Sequence, residues 1–295
     1  MPVFIEVPAT ALLVERSLFI LATVLFVLAA LSYFMNLAGK REWGPFASLL
    51  LHGALFVQTA FLVTRGINVN RVPFVGHFEF GNLFIWASTL LYLWMERRLR
   101  PVFYAVGAFL TPVVLVYLAY AHSGIVSAEH RELPIVLRFP LWLNIHVSTS
   151  VFAYAGFSLA FALGLIWLLR LWLTGASKFV PKGNVWQTIK RELPSGSVLE
   201  ENIYTSIAFG FFFQTAMIIS GAIWADISWG RFWGWDPKEM WSLITWFVYA
   251  VYLHARLTRQ WQGPKVILVV VIGWLAMMFT WIGVAWLLPG IHSFG

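Results

Sequence analysis

Five tryptophans fall between Trp224 and Trp241 of this 295-residue chain, most of them in the run Trp229-Gly230-Arg231-Phe232-Trp233-Gly234-Trp235-Asp236-Pro237-Lys238-Glu239-Met240-Trp241. Indole rings offer flat faces for stacking and an N–H at the edge. Gly230 and Gly234 let the backbone come close to a flat surface. Arg231 and Lys238 are placed to pair with carboxylates. An aromatic belt at headgroup depth accounts for Trp224 and Trp241, which fall at expected helix ends. It does not call for paired glycines, nor for Asp236, Lys238 and Glu239 threaded among the rings. The run describes a platform for a large, planar, amphipathic ligand with acidic groups on its polar edge.

A planar ligand that carries a metal needs axial donors, and the chain has seven histidines. His146, in Leu141-Trp-Leu-Asn-Ile-His146-Val, opens one expected membrane helix, and His292, in Leu288-Pro-Gly-Ile-His292-Ser-Phe-Gly, follows another. Either alone is more often a hydrogen-bonded interfacial residue than a ligand. Two imidazoles at matching depth beside an aromatic platform make haem the ligand that uses every feature, because six-coordinate haem iron takes two axial imidazoles. His254 follows Trp241 by thirteen residues, roughly 20 Å along a helix and inside a ~30 Å hydrocarbon core. An intramembrane ionisable group is a functional candidate by default, and that reading is preferred here to a hydrogen bond with a neighbouring helix. His52 is expected near mid-membrane, where a packing role is preferred to a second deep ligand. His77, His122 and His130 sit in or beside loops and are assigned no chemistry.

The elements that hold these residues must be membrane helices. The chain is 60% hydrophobic, 18% aromatic and 11% charged, which leaves too little polar surface to cover a soluble domain. It has no cysteine, which excludes disulfides, thiolate metal sites and a cysteine nucleophile. The net charge of +7 lies between apolar runs and forms no basic face, so nucleic acid is not an expected partner. The first apolar run, Leu18 to Leu37, is too long for a signal-peptide core, and Glu6 and Glu15 replace the basic residues such a peptide carries. It is expected to remain as a first membrane helix.

At roughly 20 residues per crossing, the sequence predicts an all-α polytopic membrane protein, one domain over 1–295, with eight transmembrane helices near 17–38, 44–64, 80–96, 101–121, 143–172, 204–224, 241–257 and 266–288. The segments after helices one, three, five and seven carry thirteen Lys and Arg residues, against seven on the other side. By the positive-inside rule both termini then lie on the outer side. Residues 225–241 form the outer tryptophan-rich loop. The cytoplasmic connection 174–203 carries Val185, Ile189 and Leu193 at helical spacing, and a short interfacial helix and a solvated linker are equally open.

The stretch from Leu199 to Arg256, with GAIWADISWGRFWGWDPKEMWSLITWFVYAVYLHAR, resembles the haem-handling proteins named for their Trp-Trp-Asp motif, and in detail the CcsA/ResC branch of the second cytochrome c maturation system. The resemblance extends more loosely through LWLNIHVSTSVFAYAGFSLAFALG and LLPGIHSFG and is faint before residue 130. It implies eight membrane helices, two external haem-iron ligands matching His146 and His292, and a membrane-embedded ligand matching His254. It implies a holocytochrome c synthase of haem lyase type. Haem b is its substrate, joined by thioethers to the Cys-x-x-Cys-His motif of apocytochrome c, with catalysis by positioning. The partners implied are a CcsB/ResB membrane protein and thiol-reducing proteins that act on the apocytochrome. The location implied is the bacterial plasma membrane or the thylakoid membrane.

Asp236 and Glu239 keep several readings: orienting Trp N–H groups, closing the loop against Arg231 or Lys238, or engaging substrate. Three other functions fit part of the pattern. A haem-delivery protein of the other maturation pathway shares the motif, but eight helices and 295 residues favour the synthase branch. A transporter with an aromatic gating loop needs no iron ligand, and a structural subunit with an aromatic belt binds nothing coloured.

Overall fold

The structure, a computed structural model, describes residues 4–123, 126–133, 140–175, 183–288 and 290. Its elements are helices α1 (Ala9–Leu37), α2 (Trp43–Val69), α3 (Gly76–Leu99), α4 (Tyr104–His122), α5 (Pro140–Thr174), α6 (Asn184–Glu192), α7 (Gly196–Trp229), α8 (Pro237–Thr258) and α9 (Pro264–Met278), then a π turn (Phe279–Gly283) and α10 (Val284–Leu287). The last three run on as one rod. Among the described residues the sole β feature is an isolated bridge between Phe4 and Arg131.

Among the described residues, eight long rods coincide with the eight apolar runs of the sequence. Six of them, α1, α2, α4, α5, α7 and the rod Pro264–Leu287, are long and apolar enough to cross a membrane. The other two, α3 and α8, carry more charge: Glu79, Glu96, Arg97 and Arg98 on one, Lys238, Glu239 and Arg256 on the other.

Both ends of α7 and the start of α8 are set by caps that hydropathy does not register. α7 starts eight residues before the expected 204 because the Ser195 hydroxyl accepts the Val198 N–H at 3.3 Å. It runs on to Trp229, where Gly230 turns left-handed at φ +70° and returns its N–H to the Asp226 carbonyl at 2.8 Å. α8 starts at Pro237 behind its cap Asp236. Only residues 230–236 of the expected tryptophan loop therefore lie between helices. In the 174–203 connection the helical spacing is realised as α6, whose Trp186 and Ile189 pack on the core. Arg41 holds it through Glu192 at 3.0 Å.

α5 is the axis of the C-terminal half and has its widest interface with the antiparallel α7. A β-carbon on Gly156 would lie 2.9 Å from the Ser206 carbonyl oxygen and 3.0 Å from the Gly210 Cα. The two backbones touch there because neither glycine carries a side chain, as small residues allow between membrane helices. Phe157 stacks on Tyr249 of α8 at 3.7 Å, and Phe161 on Trp274 of α9 at 3.9 Å. The N-terminal half, α1 to α4, joins it through α3 and α4 against α5. Trp281 of the π turn stacks on Tyr117 of α4 at 5.5 Å.

Two buried polar clusters brace the N-terminal half. At the end of the bundle that carries the tryptophans, Arg65 donates to Glu15 at 2.9 Å, to Glu79 at 3.0 Å, and to the carbonyls of Ala128 and Glu129. At the opposite end Glu96 accepts hydrogen bonds from Tyr33, Ser48, Tyr92 and Arg100 at 2.5, 2.6, 2.7 and 3.2 Å. A carboxylate fully removed from solvent is tolerable only when so many donors surround it.

Candidate functional site

The connection between α7 and α8 is held by its own acids. The Asp236 Oδ1 accepts the Lys238 N–H at 3.0 Å, and the Glu239 Oε2 accepts the N–H groups of Gly234 at 2.8 Å and Asp236 at 3.1 Å. This is a reciprocal capping box. The guanidinium of Arg231 lies over the Gly234 backbone, where a β-carbon would stand 2.9 Å from Nε. Trp235 takes a left-handed backbone at φ +57°, and its ring, 68% exposed, stands at 89° to that of Trp233. A bulky residue rarely pays that backbone strain without a purpose for its side chain.

Below the loop the rings continue inward. Trp229 meets Trp224 edge-on at 5.2 Å, and Trp224 faces the imidazole of His146 at 5.9 Å. Trp224 is five residues inside α7 and buried among Leu143, Val147 and Val151, so it is not at the helix end where a belt would put it. Trp241 lies inside α8 with its ring 4.3 Å from Phe279 of the π turn, a type of distortion often found at functional sites.

His146 sits in the second turn of α5, and its Nδ1 is 2.9 Å from the Met217 carbonyl of α7. A carbonyl only accepts, so Nδ1 carries the proton and the lone pair of the neutral ring is on Nε2. That is the tautomer of an iron ligand oriented by a backbone acceptor. His292 lies outside the described residues. Gly290, two positions earlier, is packed against Asp236 and Pro237. His254 is on the exposed face of α8, away from the bundle core, one turn before the helix ends, and its carbonyl accepts the Thr258 hydroxyl.

Lys238 is half-buried; burial lowers its pKa and Asp236 opposes that shift. Its charge is felt by His77, whose pKa falls to about 4 through burial first and Lys238 second. His52 donates Nδ1–H to the Ser48 carbonyl at 2.7 Å on an exposed face of α2. His122 stacks on Phe19 at 4.6 Å, and His130 bonds Glu15 at 2.9 Å.

Sequence reading did not single out Met217, Gly221 or Gly290. The signal for the first two was present: Met217, Gly221 and Trp224 recur at i, i+4 and i+7, one face of a helix.

Apolar rods long enough to cross a bilayer, gathered into one bundle with an aromatic-rich end, make this an integral membrane protein. Residues 74–292 match the family described as Cytochrome C assembly protein. The cytochrome c biogenesis protein CcsA of Prochlorococcus marinus (strain NATL1A) is 34% identical over 93% of this chain and 93% of its own length. That of Parasynechococcus marenigrum (strain WH8102) is 37% identical over 75% and 78%, and that of Guillardia theta 28% over 91% and 92%. The chain belongs to the CcsA family of cytochrome c biogenesis proteins. Among solved structures, the cytochrome c haem lyase CcmF matches with a TM-score of 0.70 at 16% identity, over 94% of this chain and 47% of that one. This chain thus spans about half the length of CcmF, and the likeness shows the fold.

Proposed function

We propose that this chain is the haem-handling and export subunit of a cytochrome c synthase, presenting haem b as substrate at the outer face for thioether attachment to apocytochrome c. The observation that carries the reading is the orientation of His146: Nδ1–H on the Met217 carbonyl at 2.9 Å, with its ring beside Trp224, which Trp229 in turn meets edge-on. His146 and His292 hold the iron from its two sides. The part-buried ring of Trp233 and the exposed ring of Trp235 lie on the macrocycle, and Arg231 or Lys238 meets the propionates. His254 holds haem deeper in the membrane. Its exposed position on α8 supports a site completed by a CcsB/ResB partner.

The chemistry then needs no acid or base from this chain. Each thiol of a Cys-x-x-Cys-His motif adds across one vinyl group: a C–S bond forms at one carbon and the thiol hydrogen goes to the other. The protein contributes alignment of the vinyl edge with the incoming thiols. Thiol-reducing proteins keep the cysteines available.

Eight crossings with both termini outside put the tryptophan end on the outer face, in a bacterial plasma or thylakoid membrane. The thirteen-to-seven distribution of basic residues supports this. Since the chain has no cysteine, single introduced cysteines and a membrane-impermeant thiol reagent test it directly.

The functional test is co-expression with a CcsB/ResB partner and a reporter apocytochrome, scored as covalently bound haem. Wild type yields holocytochrome, and His146→Ala and His292→Ala yield at least about tenfold less, the scale of a lost ligand or its support. Undiminished yield from both variants would favour a transporter whose histidines are replaceable.

A further inference from the structure

We propose that Gly221 is the positioning residue of His146: its missing side chain leaves the seat in which the imidazole reaches the Met217 carbonyl. This rests on reading His146 as an iron ligand. A β-carbon on residue 221 would stand 2.8 Å from both Nδ1 and Cε1 of His146, closer than carbon and ring atoms approach in folded proteins. Residue 221 is in the interior of α7, where glycine is a poor helix former. Backbone freedom therefore does not explain it. The ring above it does.

The helices have little room to separate. His146 lies ten residues along α5 from Gly156, and Gly221 eleven along α7 from Gly210, so both contacts belong to one antiparallel register about 15 Å apart. The direct backbone contact at Gly156 and Gly210 fixes that register. A methyl group at 221 is therefore met by the part that turns most easily, the imidazole. Swung off Gly221, the ring loses the acceptor that sets its tautomer and aims Nε2. The Met217 carbonyl accepts two side-chain donors here, His146 Nδ1 at 2.9 Å and the Ser220 hydroxyl at 3.2 Å. Only the first depends on residue 221 lacking a side chain, which makes Ser220→Ala the natural control.

The test uses the full chain purified with its partner and supplied with haem, in wild type, Gly221→Ala, Ser220→Ala, His146→Gly and the double variant His146→Gly/Gly221→Ala. Haem affinity and the six-coordinate absorption spectrum are recorded with and without imidazole. Gly221→Ala is expected to bind haem about tenfold more weakly or worse and to lose the six-coordinate spectrum, while Ser220→Ala keeps both. In the His146→Gly background Gly221→Ala is expected to add no further loss, because the ring it displaces is gone. Losses that multiply in the double variant would show that Gly221 acts elsewhere in the protein and would overturn the inference. So would a wild-type spectrum in Gly221→Ala alongside a loss in His146→Gly. A wild-type spectrum in His146→Gly overturns the ligand reading itself, and the seat with it.

Discussion

Gly290 rests directly on the carboxylate of Asp236: a β-carbon there would lie 2.4 Å from Oδ2 and 3.2 Å from Cγ. The other oxygen, Oδ1, caps α8 through the Lys238 N–H. One carboxylate thus fixes the start of α8 and bears on the segment that reaches His292 two residues later. To the roles open to Asp236 in the sequence this contact adds one: tying Gly290 to the tryptophan loop.

Gly290→Val is expected to push that segment off Asp236. If His292 is an iron ligand, the variant resembles His292→Ala, with six-coordinate haem lost and regained on adding imidazole. α8 keeps its cap, so the unfolding temperature in detergent shifts little. A wild-type spectrum in Gly290→Val would refute the tie.

Trp235→Gly separates stability from function. The left-handed backbone at φ +57° suits glycine, and relief of that strain is worth about 1 kcal/mol. The variant is expected to unfold at the same or a higher temperature and to bind haem less tightly, because an exposed ring of the platform is gone. Weakened folding with unchanged haem affinity would assign Trp235 to structure.

Six of the eight rods were legible because each coincides with an apolar run long enough for a bilayer, a signal that outweighs local propensity; α3 and α8 showed as shorter apolar runs between charged ends. Their ends were not. α7 outruns its apolar stretch at both ends because the Ser195 hydroxyl and the left-handed Gly230 decide where it stops, and neither registers in hydropathy. α8 begins at Pro237 and not at Trp241 because Asp-Pro-Lys-Glu is a capping box, a pattern visible in the sequence but read there as loop. The candidate site was legible where residue type carries it, in the tryptophans and His146. It was illegible where absence carries it: Gly221 and Gly290 matter for what comes close to them from other elements, which one sequence does not encode locally.

Arg65 is 2% exposed and stands between Glu15 and Glu79. Arg65→Met removes the cation shared by two buried carboxylates, leaving Glu79 to Arg71 and Glu15 to Asn68 and His130, and is expected to lower the unfolding temperature by a loss of about 3 kcal/mol. Equal stability of Arg65→Met and wild type in thermal unfolding would contradict the network's role.

His77 makes the tryptophan end acid-sensitive. Burial, with the Lys238 charge second, holds its pKa at about 4, whereas an unfolded histidine titrates near 6.5. Between these values the unfolded state binds the extra proton, so stability is complete above about pH 6.5 and is lost as pH falls toward 4, by at most about 3 kcal/mol. His77→Gln is expected to flatten this part of the curve of unfolding temperature against pH. Parallel curves for variant and wild type would refute it.

The central claim, that this end of the bundle holds haem between two histidines, is met most directly by absorption spectroscopy. The chain is purified with its partner, supplied with haem, and compared with His146→Ala and His292→Ala. Haem held between His146 and His292 gives a six-coordinate bis-imidazole spectrum in wild type, lost in each variant and restored by added imidazole. A wild-type protein that stays colourless when haem is supplied contradicts it.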